Sequence, residues 1–269
     1  MTKKTTKTET STQQDDRVLL LDGDIIVYKC SAAVEVVVDW GGDIWSMWSD
    51  VNEAKEKAAS FIAELKEKSG IQNVEVCLSG SANFRKDVDP TYKAHRKDVR
   101  KPIAFAPLKE FLRNEYLSHT TDGIEADDYM GIKASGDPRY VVWTEDKDLK
   151  GVPLTLFKLD DGFIEVSEHD ANYWFMVQTL TGDQTDGYKG CPAVGIKTAE
   201  KILQKAIDEG TPWANEYDLM RLYWKHVVMA YIKAGLNEEV AIQQARLARI
   251  LRHGEYENGK VKLWNPPAL

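Results

Sequence analysis

Apolar residues along the chain follow two alternating patterns, which together predict a mixed α/β fold. Short runs rich in β-branched residues are typical of buried strands, whereas apolar positions recurring about every three or four residues are typical of amphipathic helices. The predicted strands are Val18–Leu21, Asn73–Leu78, Tyr140–Trp143, Leu154–Leu159 and Phe163–Val166. Because helical segments lie between most of them, we expect a mostly parallel sheet flanked by helices.

The second half of the chain changes character at about Ser167, where helical patterns replace strand patterns. Helices are predicted at Asp50–Lys68, Pro107–Tyr116, Ile124–Ala134, Glu168–Leu180, Lys197–Asp208, Glu216–Ala234 and Glu238–Leu251. This order predicts a disordered N-terminal tail at 1–16, an α/β core at 17–166, a helical region at 167–255 and a C-terminal tail at 256–269.

A β-hairpin is predicted over Val34–Trp48, because β-branched and aromatic residues lie on both sides of Gly41-Gly42. Three tryptophans occur in this region, at positions 40, 45 and 48. We interpret them as packing residues of the core or hairpin, with a surface that stacks on DNA as the alternative.

Composition excludes several classes of protein. Hydrophobic residues make up 43% of the 269 residues, which is enough for a core, yet no apolar run reaches the roughly 18 residues of a membrane span. Met1–Asp16 is rich in Thr and Lys without an apolar stretch, which indicates a disordered tail rather than a secretory signal. The three scattered cysteines indicate reduced thiols, not a zinc site or a disulfide framework.

The formal net charge of −8 argues at first against a nucleic-acid partner. The distribution of charge changes that interpretation, because Tyr92–Lys101 carries five Lys or Arg residues and a single acid. This basic run lies within Ser79–Pro102, a polar segment predicted to be either a loop or a mobile helical arch. Taken alone, such a run is also typical of a solvated face.

Acidic residues cluster at four places: Asp22, Glu125–Asp128, Asp146–Asp148 and Asp183–Asp186. Asp22 follows a predicted strand, and ligands of parallel sheets gather at the carboxyl ends of strands. Carboxylates packed together repel one another unless a hard cation such as Mg²⁺ or Mn²⁺ neutralises them. Each cluster alone is typical of a turn or a helix start, but together they predict a two-ion site for phosphodiester chemistry.

The segment from Gly182 to Ala199 joins two predicted helices and contains four glycines. Glycine lets the backbone turn sharply and approach a ligand closely. A helix that begins near Lys197 directs free amide groups outward, which favours phosphate binding. The segment therefore predicts a helix–hairpin–helix grip on the DNA backbone, with an ordinary interhelical loop as the alternative.

These motifs resemble the flap-endonuclease/5′→3′ exonuclease family, and especially the 5′→3′ exonucleases of short-tailed lytic bacteriophages. The resemblance extends from Leu19 to Trp264. It rests on Leu21-Asp22-Gly23-Asp24, Phe84-Arg85-Lys86, Tyr92-Lys93-Ala94-His95-Arg96-Lys97, Glu125–Asp128, Asp146-Lys147-Asp148, Gly182–Gly195 and Ala248–Arg252. It implies a PIN-like nuclease core followed by a helix–hairpin–helix (helix–three-turn–helix) region.

The resemblance also implies roles for individual residues. The first metal ion would be held by Asp22, Glu125, Asp127 and Asp128, and the second by Asp146, Asp148, Asp183 and Asp186. Lys93 and Arg96 would contact the scissile phosphate, so that the expected catalytic residues are Lys93, Arg96, Asp22 and Asp127. DNA binding is expected at Tyr92, Lys93, Arg96, Lys97, Lys189, Gly190, Gly195, Lys197 and Thr198. For Tyr92, stacking on a terminal base and packing inside the arch are two equal alternatives.

The activity implied by the resemblance is hydrolysis of duplex DNA from 5′ ends with two Mg²⁺ ions, for which Mn²⁺ substitutes. Cleavage of 5′ flaps and of RNA in RNA–DNA hybrids belongs to the same expectation, as do a K⁺ ion at the helix–hairpin–helix and a monomer. The expected setting is phage DNA replication or recombination in the cytoplasm of an infected bacterium. The alternatives are a non-catalytic DNA-binding protein and a PIN-type ribonuclease.

One departure from the family pattern affects the first metal site. The family often has an aspartate just after the strand that ends here near Leu78, but this sequence has Ser79-Gly80-Ser81. Asp87 and a water molecule are the candidate substitutes. The departure puts the affinity of the first site in doubt more than the class of reaction.

Overall fold

The computed structural model describes residues 15–210 and 215–268, and a six-stranded sheet forms its centre. The strands are β1 (Val18–Asp22), β2 (Glu35–Asp39), β3 (Trp45–Ser49), β4 (Asn73–Cys77), β5 (Ser118–His119), β6 (Tyr140–Trp143), β7 (Leu154–Lys158), β8 (Gly162–Val166), β9 (Tyr256–Glu257) and β10 (Lys260–Val261). The sheet order is β5-β4-β1-β6-β7-β8, and only the β7–β8 pair is antiparallel. The predicted mostly parallel sheet is therefore confirmed.

Helices pack on both faces of this sheet, and they predominate between residues 168 and 248. They are α1 (Gly23–Ala32), α2 (Val51–Ser69), α3 (Arg85–Val88), α4 (Phe105–Glu115), α5 (Ala126–Gly136), α6 (Glu168–Thr181), α7 (Ile196–Gly210), α8 (Glu216–Lys233) and α9 (Glu238–Ala248). Most predicted bounds agree within two residues. Helix α1 was not predicted, since its β-branched residues and leading glycine do not favour a helix; Asp22 starts it by accepting a hydrogen bond from the Ile25 amide.

Strand β1 positions the site because it is buried on both faces. Leu19 and Leu21 pack against one layer of helices, and Leu20 packs against the other. The register pairs Asp22 with Cys77 on β4 and Leu21 with Trp143 on β6. The carboxyl ends of these three strands therefore meet at one edge, and Asp22 is delivered there.

A second core lies among α6, α7, α8 and α9. Trp264 packs against it edge-on, with ring centroids 5.2 Å from Phe175 and 5.1 Å from Trp224. Together with the β9–β10 hairpin, this contact shows that 256–269 is not simply a tail without regular structure. The tail predicted at 1–16 lies almost wholly outside the described residues. In 15–210 and 215–268, no helix is long and apolar enough to cross a membrane.

The predicted hairpin is present as β2 and β3, with its tip at Gly41-Gly42. The expected packing of its tryptophans is wrong, because Trp40, Trp45 and Trp48 are each more than half exposed. The pattern of aromatic residues indicated the strands correctly. It did not indicate burial, since the two-stranded sheet stands apart from the main sheet.

Candidate active site

A cleft of about 770 Å³ lies at the carboxyl edge of the parallel sheet. Its acidic lining residues are Asp22, Asp24, Glu125, Asp127, Glu145 and Asp146. Its basic lining residues are Lys29, Lys93, Arg96, Lys101, Lys109 and Lys147. Both signs of charge therefore face one cavity, as expected of a site that handles a cation and a phosphate together.

Asp22 is fixed at the floor of the cleft by two hydrogen bonds. The Ile25 amide donates to Oδ1 at 3.2 Å, and the Thr144 hydroxyl donates to Oδ2 at 2.8 Å. Burial raises the pKa of Asp22 to about 7, with Asp24 and Asp146 adding to the shift, although both hydrogen bonds oppose it. A carboxylate at this position is therefore costly until a positive charge arrives.

The raised pKa of Asp22 predicts a pH-dependent stability in chelating buffer. Because the folded pKa of about 7 exceeds the ordinary aspartate value of 3.8, this contribution to the unfolding free energy is complete below about pH 4 and is lost as the pH rises towards 7. The loss amounts to at most about 4 kcal/mol. Urea unfolding at several pH values should show a flatter profile for Asp22→Asn, with exposed Asp161→Asn as control. Parallel profiles for all three proteins would contradict the prediction.

The start of α5 brings two further carboxylates to the cleft. Glu125 caps the helix, and Asp127 lies in its first turn. Burial raises the pKa of Asp127 well above its usual range, with Asp128 and Glu125 as the next causes. Burial also acts to raise the pKa of Glu125, but Lys93 and Arg85 outweigh it and hold that pKa low.

Asp128 faces away from the cleft, contrary to its expected place among the ligands of the first ion. It is fully buried, and Arg85 donates to both of its oxygens, at 2.7 and 2.8 Å. The amides of Glu125 and Leu251 donate to it as well. The spacing that places Asp128 on the face of Glu125 is correct, but its oxygens are committed to holding Arg85 and the helix start.

The acids of the second predicted set lie on the two segments that follow β6 and α6. Asp148 is buried and accepts a hydrogen bond from the Gln178 amide at 2.7 Å, and burial raises its pKa to about 6. Asp183 pairs with Lys147 at 2.5 Å. Asp186 accepts from Arg96 at 2.8 Å. Gln178 lies on α6, so this set joins the sheet region to the helical region.

Two lysines lie between carboxylates of the site. The Lys93 ammonium is 2.7 Å from Glu125 and 3.4 Å from Asp186. Lys147 Nζ lies 3.3 Å from Asp148 in addition to its contact with Asp183. Among the described residues, no three His, Cys, Asp or Glu side chains already converge tightly enough to hold an ion. Ammonium groups thus occupy positions where a cation is strongly stabilised.

Lys93 holds an unusual backbone conformation, with φ of 53°. Its amide donates to the Asp186 carbonyl at 2.9 Å, which fixes the basic segment against the loop that carries the second acidic set. Positive φ in a residue other than glycine costs energy and is concentrated at functional sites. This geometry turns the Lys93 side chain into the cleft.

The expected stacking role of Tyr92 is wrong for this conformation, because its side chain is only 2% exposed. Its hydroxyl donates a hydrogen bond towards Asp186 at 2.8 Å and lies 3.1 Å from Glu125. The alternative interpretation, packing within the arch, is the one the structure shows. Tyr92 therefore links the two acidic sets instead of reaching a base.

Asp24, which has no role in the sequence-based prediction, lies beside the Ser79-Gly80 departure. The Ser79 amide donates to Asp24 at 2.8 Å, and Lys109 donates to its other oxygen at 3.0 Å. Asp87, the candidate substitute, lines a different cavity of about 1020 Å³ and does not face the acids. The signal for Asp24 was present, since it is the fourth residue of the motif that begins at Leu21.

The glycine-rich segment between α6 and α7 folds back tightly on itself. Gly182 and Gly190 both have φ of +65°, and a Cβ on Gly190 would lie 2.2 Å from the Gly182 nitrogen. Only glycine fits this approach. The other predicted DNA contacts in this segment, Lys189, Gly195, Lys197 and Thr198, are exposed, as is Lys97 on the basic segment.

A protein-family model described as the 5′-3′ exonuclease, N-terminal resolvase-like domain, matches residues 17–158, which is more than half of the chain. The chain belongs to the 5′→3′ exonuclease family. The predicted class of enzyme, a 5′→3′ exonuclease with a PIN-like fold, is thereby confirmed. The matched range contains Asp22, Glu125, Asp127 and Asp146, so this family assignment covers most of the cleft.

Two phage members of the 5′→3′ exonuclease family resemble the whole chain. An exodeoxyribonuclease of Enterobacteria phage T3 is 30% identical over 283 residues, and an exonuclease of Escherichia phage T7 is 31% identical over 285 residues. Each alignment covers 94% of this chain and 94% of the relative. The similarity therefore extends through the helical region.

Solved structures show the same family fold. The bacteriophage T5 flap endonuclease, solved as a complex with DNA and metal ions, superimposes with a TM-score of 0.53 and covers 86% of this chain and 92% of its own. The zinc-bound T5 5′-exonuclease gives the same TM-score. Their identities of 15% and 16% establish a shared fold and nothing finer.

Proposed function

We propose that this member of the 5′→3′ exonuclease family hydrolyses duplex DNA from 5′ ends with two divalent metal ions, releasing products with a 5′-phosphate. The observation that carries the proposal is the cleft in which Asp22, Glu125 and Asp127 face Lys93 and Arg96. Carboxylates suit a hard cation, whereas the lysine and arginine suit a phosphate. One cavity thus offers complementary contacts to both partners of a metal-dependent phosphodiesterase.

The donor chemistry fits Mg²⁺, and Mn²⁺ as its substitute, because every acidic group at the site offers oxygen ligands. Asp22, Glu125 and Asp127 would hold the first ion, without Asp128. Asp146, Asp148, Asp183 and Asp186 would hold the second. Lys93 and Lys147 already neutralise neighbouring carboxylates at 2.5 to 3.4 Å, which supports cation binding at both places.

When bound, the two ions supply an activated water and neutralise charge on the leaving oxygen. The side chains of the chain perform the remaining work. Lys93 and Arg96 lie on the basic segment opposite the acids, where they hold the scissile phosphate and stabilise charge that builds on it. Tyr92 keeps Glu125 and Asp186 in register through its hydroxyl contacts.

The glycine-rich segment before α7 would hold the DNA backbone away from the cleft. The exposed Lys197 and Thr198 lie in the first turn of α7, where amide groups favour phosphate. Such contacts are independent of base sequence, as an exonuclease requires. The proposal includes a K⁺ ion in this segment, a monomeric enzyme, and a role in phage DNA replication or recombination in the host cytoplasm.

Parallel digestion of 5′-labelled and 3′-labelled duplex DNA, with Mg²⁺ or with chelator, tests the proposal. We expect early, Mg²⁺-dependent release of the 5′ label, and the same assay on 5′-flap DNA and RNA–DNA hybrids measures those finer activities. Asp127→Asn, prepared identically, controls for contaminating nuclease. Absence of Mg²⁺-dependent cleavage on all substrates would favour a non-catalytic DNA-binding protein, and cleavage of RNA alone would favour a PIN-type ribonuclease.

A further inference from the structure

Thr144 is a fully buried polar residue directly after β6, and its contacts extend beyond the hydrogen bond to Asp22 described above. It lies between two acidic positions of the cleft. Its hydroxyl is 2.8 Å from Asp22 Oδ2 and 3.0 Å from the Asp146 amide nitrogen. A single side-chain oxygen thus contacts a carboxylate of the first proposed set and the backbone of the second.

The direction of both hydrogen bonds follows from chemistry. A backbone amide can only donate, so the Thr144 oxygen accepts from Asp146. The one hydroxyl proton is then free to point at Asp22, which accepts it. Asp22 Oδ1 receives the Ile25 amide in turn. One lone pair on each Asp22 oxygen is thereby used for orientation, and the remaining lone pairs are available to a ligand in the cleft.

The backbone of Thr144 is held from a second side. The ammonium group of Lys158, on the neighbouring strand β7, donates a hydrogen bond to the Thr144 carbonyl. The Asp146 carboxylate in turn accepts from the Asp148 amide at 2.9 Å. Thr144 is therefore bonded to Lys158 through its carbonyl, and to Asp22 and Asp146 through its hydroxyl. Asp146 is bonded in turn to Asp148.

We infer that Thr144 is a positioning residue that fixes the separation of the two acidic sets by holding Asp22 and Asp146 on one hydroxyl group. The inference rests on the proposed two-ion function and deepens it. Groups that orient metal ligands typically change metal affinity or activity about 10- to 100-fold when removed. Thr144 would act on both ion sites, since its two partners belong to different sets.

Thr144→Val and Thr144→Ser separate the hydroxyl from the methyl group. Valine keeps the shape and removes the hydroxyl, whereas serine keeps the hydroxyl and loses the methyl. Thr179→Val is the matched control, because Thr179 is equally buried but its hydroxyl bonds only within α6, to the Phe175 carbonyl at 2.9 Å. Thermal melting of each variant in chelator reports its fold.

The measurement is Mn²⁺ binding to the DNA-free protein by electron paramagnetic resonance, followed by kcat and KM on duplex DNA. We expect Thr144→Val to bind Mn²⁺ about 10- to 100-fold more weakly. Its kcat should fall, whereas its KM should stay unchanged. Thr144→Ser and Thr179→Val should remain within about threefold of the unmodified protein. Unchanged Mn²⁺ affinity in Thr144→Val, or an equal loss in Thr144→Ser, would overturn the inference.

Asp22→Asn and Asp127→Asn distinguish this failure from failure of the proposed function. If both weaken Mn²⁺ binding while Thr144→Val does not, only the role of Thr144 is wrong. If neither of them changes Mn²⁺ binding, the proposed ion sites are wrong as well. Should Thr144→Val fail to fold in chelator, Thr144→Ser is compared with Thr144→Ala, since both lack the methyl group and only serine keeps the hydroxyl. Weaker Mn²⁺ binding by Thr144→Ala would then support the inference, and equal binding would overturn it.

Discussion

Turnover of duplex DNA by Asp127→Asn is expected to fall by about two to three orders of magnitude or more, while its affinity for DNA stays near that of the unmodified protein. Asp127 lines the cleft in the first turn of α5. Asparagine has the same shape but no charge, so the variant loses attraction for a divalent ion without leaving a cavity. The predicted backbone contacts at Lys97, Lys189 and Lys197 are separate from the cleft lining.

Single-turnover cleavage with saturating enzyme isolates this effect from binding, and fluorescence anisotropy of labelled DNA in chelator measures affinity. Asp161→Asn is the matched control, because Asp161 is an exposed acid in the β7–β8 turn. It should cleave at the normal rate. Near-normal turnover by Asp127→Asn would show that the acid is not part of the catalytic machinery.

Loss of Arg85 is expected to have the largest effect on stability. Arg85 is 1% exposed and pairs with fully buried Asp128 at 2.7 Å. It also donates to the carbonyls of Leu247 and Arg249, so that it joins α5 to the end of α9. Arg85→Met leaves the buried Asp128 charge with two backbone amide donors but no ionic partner, and such a loss typically costs about 3–5 kcal/mol.

Urea unfolding in chelator measures this cost. Arg113→Met is the control, since its pair with Glu110 is exposed and worth at most about 1 kcal/mol. Combining Arg85→Met with Asp128→Asn should recover part of the loss, because asparagine removes the buried charge and keeps an acceptor. A cost below about 1 kcal/mol for Arg85→Met would contradict the structural role assigned to this pair.

The same pair explains why the prediction for Asp128 differed from the structure. Glu125, Asp127 and Asp128 are all acidic, so the sequence does not distinguish their roles. Helical spacing also places Asp128 beside Glu125. The partner that removes Asp128 from the cleft lies 43 residues earlier in the chain. The end of α9 shows the same dependence: residues 249–251 were predicted as helix, but they leave it to contact Arg85 and Asp128.

Local pattern was sufficient where the physical cause is local. The apolar runs predicted the buried strands, the spacing of apolar residues predicted the long helices, and the glycines at 182 and 190 predicted a tight interhelical turn. The position of Asp22 after a buried strand indicated the edge where the cleft forms. For these features, neighbours in sequence supply the deciding interactions.

Tertiary structure alone decided which of the polar groups near the site face the cleft and which support it. It buried Tyr92, turned Asp128 towards Arg85, and brought Asp24 beside Ser79 and Thr144 beside Asp22. Each of these contacts joins two residues that lie at least 43 positions apart in the sequence. The sequence by itself determined the fold class and the acidic character of the site. The pairing of each acid depends on packing between distant elements, because a buried charge takes whichever partner the assembled core places within hydrogen-bond reach.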